Sequence, residues 1–235
     1  RCLQYCEDFF NDNAANGNYY KLIQPATQNE AGYRMAFRRA YRYRNDATNH
    51  EKLFDAHPTL TLSDGGYGWG WRGFALDCLR QGGAVPTNEL MECFGMADGR
   101  NFPYENLYGA GKNPDGIDMF ADRDPRLYET VLVPRQNLPA GFDYAGFSYM
   151  DSWVNGAFSY NSNFGNADDV ASGFCKFKWM LDYYGGSRYD DEYIGVAYTR
   201  LAEMYLIRAE AKAETGDLRG ALDDIHVVRS RVGLG

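Results

Sequence analysis

TRLAEMYLIRAEAKAETGDLRGALDDIHVVRSRVGL, running from Thr199 to Leu234, decides how this chain is built. Leu201, Tyr205, Leu206, Ala209 and Ala213 recur at the i, i+3/i+4 spacing of a helix with one buried stripe. The spacing predicts a helix from Thr199 to about Thr215. Gly216 stops it, because glycine enters the left-handed region without a Cβ penalty. Asp217 is placed to cap a second helix that runs to about Arg231. That helix carries Leu218, Ala221, Leu222, Ile225 and Val228 on one side. The expected product is an antiparallel hairpin with Ala209 and Ala221 at its closest approach.

Against the tetratricopeptide pattern, Ala209, Ala221 and Ile225 match the small, small and bulky positions, while Lys212 stands where an aromatic is usual. A lone helical pair cannot bury its own face and needs neighbours. No second clear copy of the repeat is visible. The fold class expected is mainly α: a portion of a tetratricopeptide-like α-α superhelix with a loop-rich, sparsely stranded insert. No domain boundary stands out, so residues 1–235 read as one domain fragment with the hairpin at 199–232 inside it.

Outward from the hairpin the signals weaken. Arg1 to about Asn13 reads as the end of a helix, with Leu3, Cys6, Phe9 and Phe10 on one side. Lys21 to Gln28 reads as a short extended segment, and Tyr33 to Arg44 as a helix dense in Tyr, Phe and Arg. His57 to Leu62 alternates as a strand would. Thr87 is a plausible N-cap for a helix through Phe94, with Leu90, Met91 and Phe94 as its apolar face. Asp124-Pro125 opens a short helix through Tyr128, and Thr130 to Val133 looks like a strand. Phe174 to Tyr183 is an aromatic run of either kind. Asn101 to Asp122 is turn-rich, and Pro139 to Asn166 has no period.

The 235 residues carry a net charge of −8. That balance opposes nucleic-acid binding, which needs a basic stripe, and opposes direct adhesion to anionic lipid. No apolar run approaches a membrane span. The chain starts Arg1-Cys2-Leu3, with no signal peptide, and reads as an internal piece of a longer protein. Five cysteines (Cys2, Cys6, Cys78, Cys93, Cys175) and three histidines (His50, His57, His226) show no zinc-ligand spacing. Neither a metal nor another cofactor is expected.

Aromatic residues make up 16% of the chain, and there are 26 glycines. They concentrate in Ser63-Asp64-Gly65-Gly66-Tyr67-Gly68-Trp69-Gly70-Trp71-Arg72. Gly68 to Gly73 fits the letters of the dinucleotide fingerprint, but no long helix follows and Trp crowds the turn. Along an extended stretch Tyr67, Trp69 and Trp71 share one face. Rings in a row stack on the C–H faces of sugars, while Asp64 and Arg72 bond hydroxyls. The bland alternative has both tryptophans plugging a core. A second group, Tyr144, Phe147, Tyr149, Trp153, Phe158 and Tyr160, lies among Asp151, Asn155 and Asn161. It reads either as a rim on the same site, led by Trp153 and Tyr160, or as a self-packed covering loop. Tyr104 and Tyr108 are weaker candidates.

The acidic pairs Asp168-Asp169 and Asp223-Asp224 read as solvated faces, as does Asp190-Asp191-Glu192. The last of these lacks the glycine-and-oxygen period of a calcium loop. Glycoside hydrolysis needs two carboxylates at a set separation, which adjacent acids do not supply. No nucleophile elbow or Ser/His/Asp arrangement is present. No catalytic residue is assigned.

The wording of four segments resembles the SusD/RagB family of outer-membrane nutrient-binding lipoproteins. AVPTNELMECFGMADGR (Ala84 to Arg100), RDPRLYETVL (Arg123 to Leu132), SGFCKFKWM (Ser172 to Met180) and the terminal helix pair follow the family's order. The resemblance implies a non-catalytic, lipid-anchored protein on the surface of a Bacteroidetes-type outer membrane. It implies capture of oligosaccharides for a TonB-dependent transporter of the SusC type. The lipidated cysteine would lie upstream, outside this chain, so Cys2 is not that residue. A peptide-binding member of the family and a glycoside hydrolase module are the alternatives.

Overall fold

The computed structural model describes residues 1–41, 48–56, 86–104, 118–134, 136–137, 175–178 and 196–235. In chain order their elements are α1 (Cys2–Ala15), α2 (Glu30–Tyr41), β1 (Lys52–Ala56), α3 (Asn88–Glu92), α4 (Leu127–Thr130), β2 (Val131–Leu132), β3 (Cys175–Lys176), β4 (Val196–Arg200), α5 (Leu201–Glu214) and α6 (Leu218–Ser230). The described residues are helix-rich with few and short strands, in line with the mainly α expectation. It divides into two compact units, Arg1–Pro58 with Gly195–Gly235, and Thr59–Ile194.

The first unit is organised by α5 and α6. Gly216 sits at φ +92°, the left-handed turn that ends α5. The Asp217 carboxylate accepts the Gly220 N–H at 2.9 Å and caps α6. The Lys212 ammonium donates to the Gly220 carbonyl at 3.5 Å, and Arg208 pairs with Asp224 at 2.6 Å. Those two contacts run in opposite chain directions, so the helices are antiparallel. Ala209 and Ala221 are both buried.

The buried stripe differs from the expected one. Leu218 and Leu222 are 65% and 63% exposed, and Leu206 is 44% exposed. The face of α6 that turns inward is Ala221, Asp224 and Val228. A carboxylate occupies the middle of it because cations surround it. Arg208 grips Asp224 with two hydrogen bonds of 2.9 and 2.6 Å, and Lys212 approaches to 3.0 Å. The Arg208 guanidinium also lies 3.8 Å from the Phe10 ring centre and 3.5 Å from Glu7, which ties α1 to α5. Around it Leu22, Leu201, Ala202 and Val228 form a core, packed by Phe9, Phe10, Tyr20, Met204 and Tyr205.

Burial opposes ionisation of Asp224, but the hydrogen bonds from Arg208 and Lys212 outweigh it and hold its pKa below the usual aspartate range. A carboxylate depressed in this way adds stability above its unfolded pKa and loses it as pH falls through the folded value. The protein is therefore expected to weaken on acidification through that window, and Asp224→Asn to flatten that part of the curve. A melting-temperature profile against pH checks it. An Asp224→Asn variant with the parent's full acid slope would contradict the assignment.

A second buried charge joins the two chain segments of this unit. Glu51 is fully buried and accepts from the Ile23 N–H at 3.0 Å. Its carboxylate takes the Arg231 guanidinium at 2.6 and 2.5 Å, and Arg200 lies at 3.6 Å. The Glu51 carbonyl accepts the Leu201 N–H at 2.8 Å. Arg200 is also held by Glu203, which accepts both its backbone N–H at 2.7 Å and its guanidinium at 2.5 Å.

β1 and β4 pair antiparallel, with Lys52 opposite Arg200 and irregularities on either side of Phe54. Neither strand is anticipated by the sequence reading. Phe54 and Tyr198 lie side by side on this ribbon, 64% and 65% exposed, with ring centres 5.7 Å apart. Lys21 to Gln28 forms neither helix nor ladder. Its Leu22 and Ile23 are buried in an irregular segment. The candidate strand His57 to Leu62 lies outside the described residues.

In the second unit, Met91, Leu127, Tyr128, Val131 and Val133 form a core with Phe94 and Phe120 against it. β2 and β3 pair antiparallel, Val131 opposite Lys176. Phe177 is buried beside them and donates its N–H to the Thr130 carbonyl at 2.9 Å.

Candidate functional site

The residues singled out for ligand contact, Asp64, Tyr67, Trp69, Trp71, Arg72, Trp153 and Tyr160, all lie outside the described residues, as do Tyr108, Tyr144, Phe147, Tyr149 and Phe158. The described part of the second unit shows the frame carried by the same stretch of chain, Thr59–Ile194.

That frame is centred on Arg123, which is 1% exposed. Its Nε donates to the Gly95 carbonyl at 3.2 Å and its Nη1 to the Met119 carbonyl at 2.7 Å. Its Nη2 is shared among the Met91 carbonyl at 2.9 Å, the Phe94 carbonyl at 2.6 Å and the Tyr104 hydroxyl at 2.6 Å. The guanidinium lies 4.1 Å from the centre of the Phe102 ring. The planar fork of arginine carries five N–H donors and so bonds several carbonyls in diverging directions at once. Met91, Phe94 and Gly95 sit at the C-terminal end of α3, where helix carbonyls lack internal partners.

The neighbouring motif residues complete this arrangement. Thr87 caps α3 by accepting the Leu90 N–H at 3.4 Å. The helix spans Asn88–Glu92, shorter than the expected run through Phe94. Gly95 has no room for a side chain, since a Cβ there would stand 2.6 Å from the Arg100 carbonyl oxygen. Asp98 accepts the Arg100 N–H at 3.0 Å and its guanidinium at 2.6 Å. Those bonds, the backbone N–H first, lower the Asp98 pKa. Asp124 holds Arg126 through both carboxylate oxygens at 2.6 to 3.0 Å. Tyr128 accepts the Arg123 N–H at 3.1 Å and donates to the Phe120 carbonyl at 2.6 Å.

Tyr104, a weaker candidate for a ligand ring, is engaged internally. Its hydroxyl donates to the Met91 carbonyl and accepts from Arg123, and its ring meets Phe102 edge-on at 4.6 Å. The sequence reading missed the hub itself: Arg123 stands in a motif, but nothing in its spelling names the carbonyls it gathers. Among the described residues no group of three or more His, Cys, Asp or Glu side chains is placed to hold a metal ion. No helix among them is long and apolar enough to cross a membrane.

Comparison with known proteins gives a consistent result. A family model described as the SusD family matches residues 50–235. A SusD-like protein from Bacteroides fragilis superposes with TM-score 0.68 at 23% identity, covering 99% of this chain and 43% of its own. A solved protein named BT4246 superposes with TM-score 0.71 at 21% identity, covering 99% of this chain and 44% of its own. At these identities the likeness is one of fold. This chain spans less than half the length of either. No curated protein matches significantly.

Proposed function

The chain belongs to the SusD family, and on that premise we propose that it captures oligosaccharides at the cell surface without cleaving them. The captured glycan is handed to a TonB-dependent outer-membrane transporter of the SusC type. Attachment to the membrane is through a lipid anchor, on the outer face of the outer membrane. The terminal helices belong to a tetratricopeptide-like superhelix at 199–232, within one family domain.

One observation carries the choice of glycan: Tyr67, Trp69 and Trp71 alternate with glycine between Asp64 and Arg72. Along an extended stretch such alternation would set the three rings on one face. Rigid rings lose little conformational entropy on binding, so a few stacked contacts yield useful affinity. Asp64 and Arg72 supply hydroxyl partners, and Trp153 and Tyr160 a rim. The sequence spells no nucleophile elbow, and no catalytic residue is assigned to it.

Trp69→Ala and Trp71→Ala are each expected to weaken glycan binding by about 1–3 kcal/mol and leave the melting temperature nearly unchanged. Rings buried in a core would behave in reverse, costing about 3–5 kcal/mol of stability on truncation. Calorimetric titration and thermal melting of the same two variants separate these outcomes. Early melting with normal binding by the residual folded protein would move the site away from this loop, first toward 144–161.

A further inference from the structure

We draw no further inference here: the strongest candidate, the exposed ring pair of Phe54 and Tyr198 on the β1–β4 ribbon, is an apolar face for which nothing in the structure shows what covers it.

Discussion

Arg123→Met is expected to destabilise the second unit by about 3–5 kcal/mol, because it removes the shared donor of four carbonyls in one step. The Met91, Phe94, Gly95 and Met119 carbonyls all accept from this one guanidinium. Methionine fills much of the same space, so the loss is of hydrogen bonds more than of volume. A buried acceptor left without a donor costs about 1–3 kcal/mol, and less at the part-buried Gly95, Met119 and Phe94 carbonyls and where the Phe94 and Asp124 N–H groups already bond the Met91 and Gly95 carbonyls. Arg123→Lys keeps the charge but not the fork, and is expected to fall between parent and methionine. Denaturant unfolding gives the size of the effect. Hydrogen exchange across 88–104 and 118–133 gives its location. A loss below about 1 kcal/mol, or faster exchange only elsewhere, would contradict the hub.

Glu51→Gln is expected to cost about 3–5 kcal/mol, since it leaves Arg231 buried with no carboxylate. Glu51 is fully buried and Arg231 is 3% exposed, so water cannot replace the lost partner without opening the unit. The pair joins residues 180 apart in sequence and closes the C-terminal end of α6 onto β1. Removing both charges together is a different change. Glu51→Leu with Arg231→Met is expected to recover much of the loss, because a buried ion pair is often no better than packed apolar side chains. Arg200 keeps Glu203 in that variant. Chemical denaturation of the single and double variants checks both statements. A double variant no more stable than Glu51→Gln would show that the pair's charge itself is required.

The hairpin was legible because its signals are local. Helical period, a glycine stop and an aspartate cap lie within a few residues of each other, and each has one mechanism. The buried face of α6 was less legible, for a physical reason. Leu218 and Leu222 look like core letters and Asp224 does not, yet Asp224 is buried because Arg208 and Lys212 reach it from α5. A pairing across two helices is invisible to the period of one. β1 and β4 escaped for the same reason: their register joins Lys52 to Arg200, and Lys52 and Asp55 break the apolar alternation that marks a strand. Family-like spelling located Arg123 but not its five acceptors, which come from three separate turns of chain. The glycine–aromatic loop was legible as composition and spacing alone. The roles proposed for Asp64, Tyr67, Trp69, Trp71 and Arg72 follow from the chemistry of those side chains and their alternation with glycine.

Capture without cleavage is tested most directly by incubating the full-length protein with a panel of purified polysaccharides and oligosaccharides. Affinity electrophoresis and a reducing-end assay are then read on the same samples. The expected result is saturable retardation by at least one glycan, with no release of reducing ends over the incubation. Release of reducing ends that a single carboxylate substitution abolishes would make the protein a glycoside hydrolase. Binding of peptides but of no glycan on the panel would contradict the proposed ligand while leaving the family assignment in place.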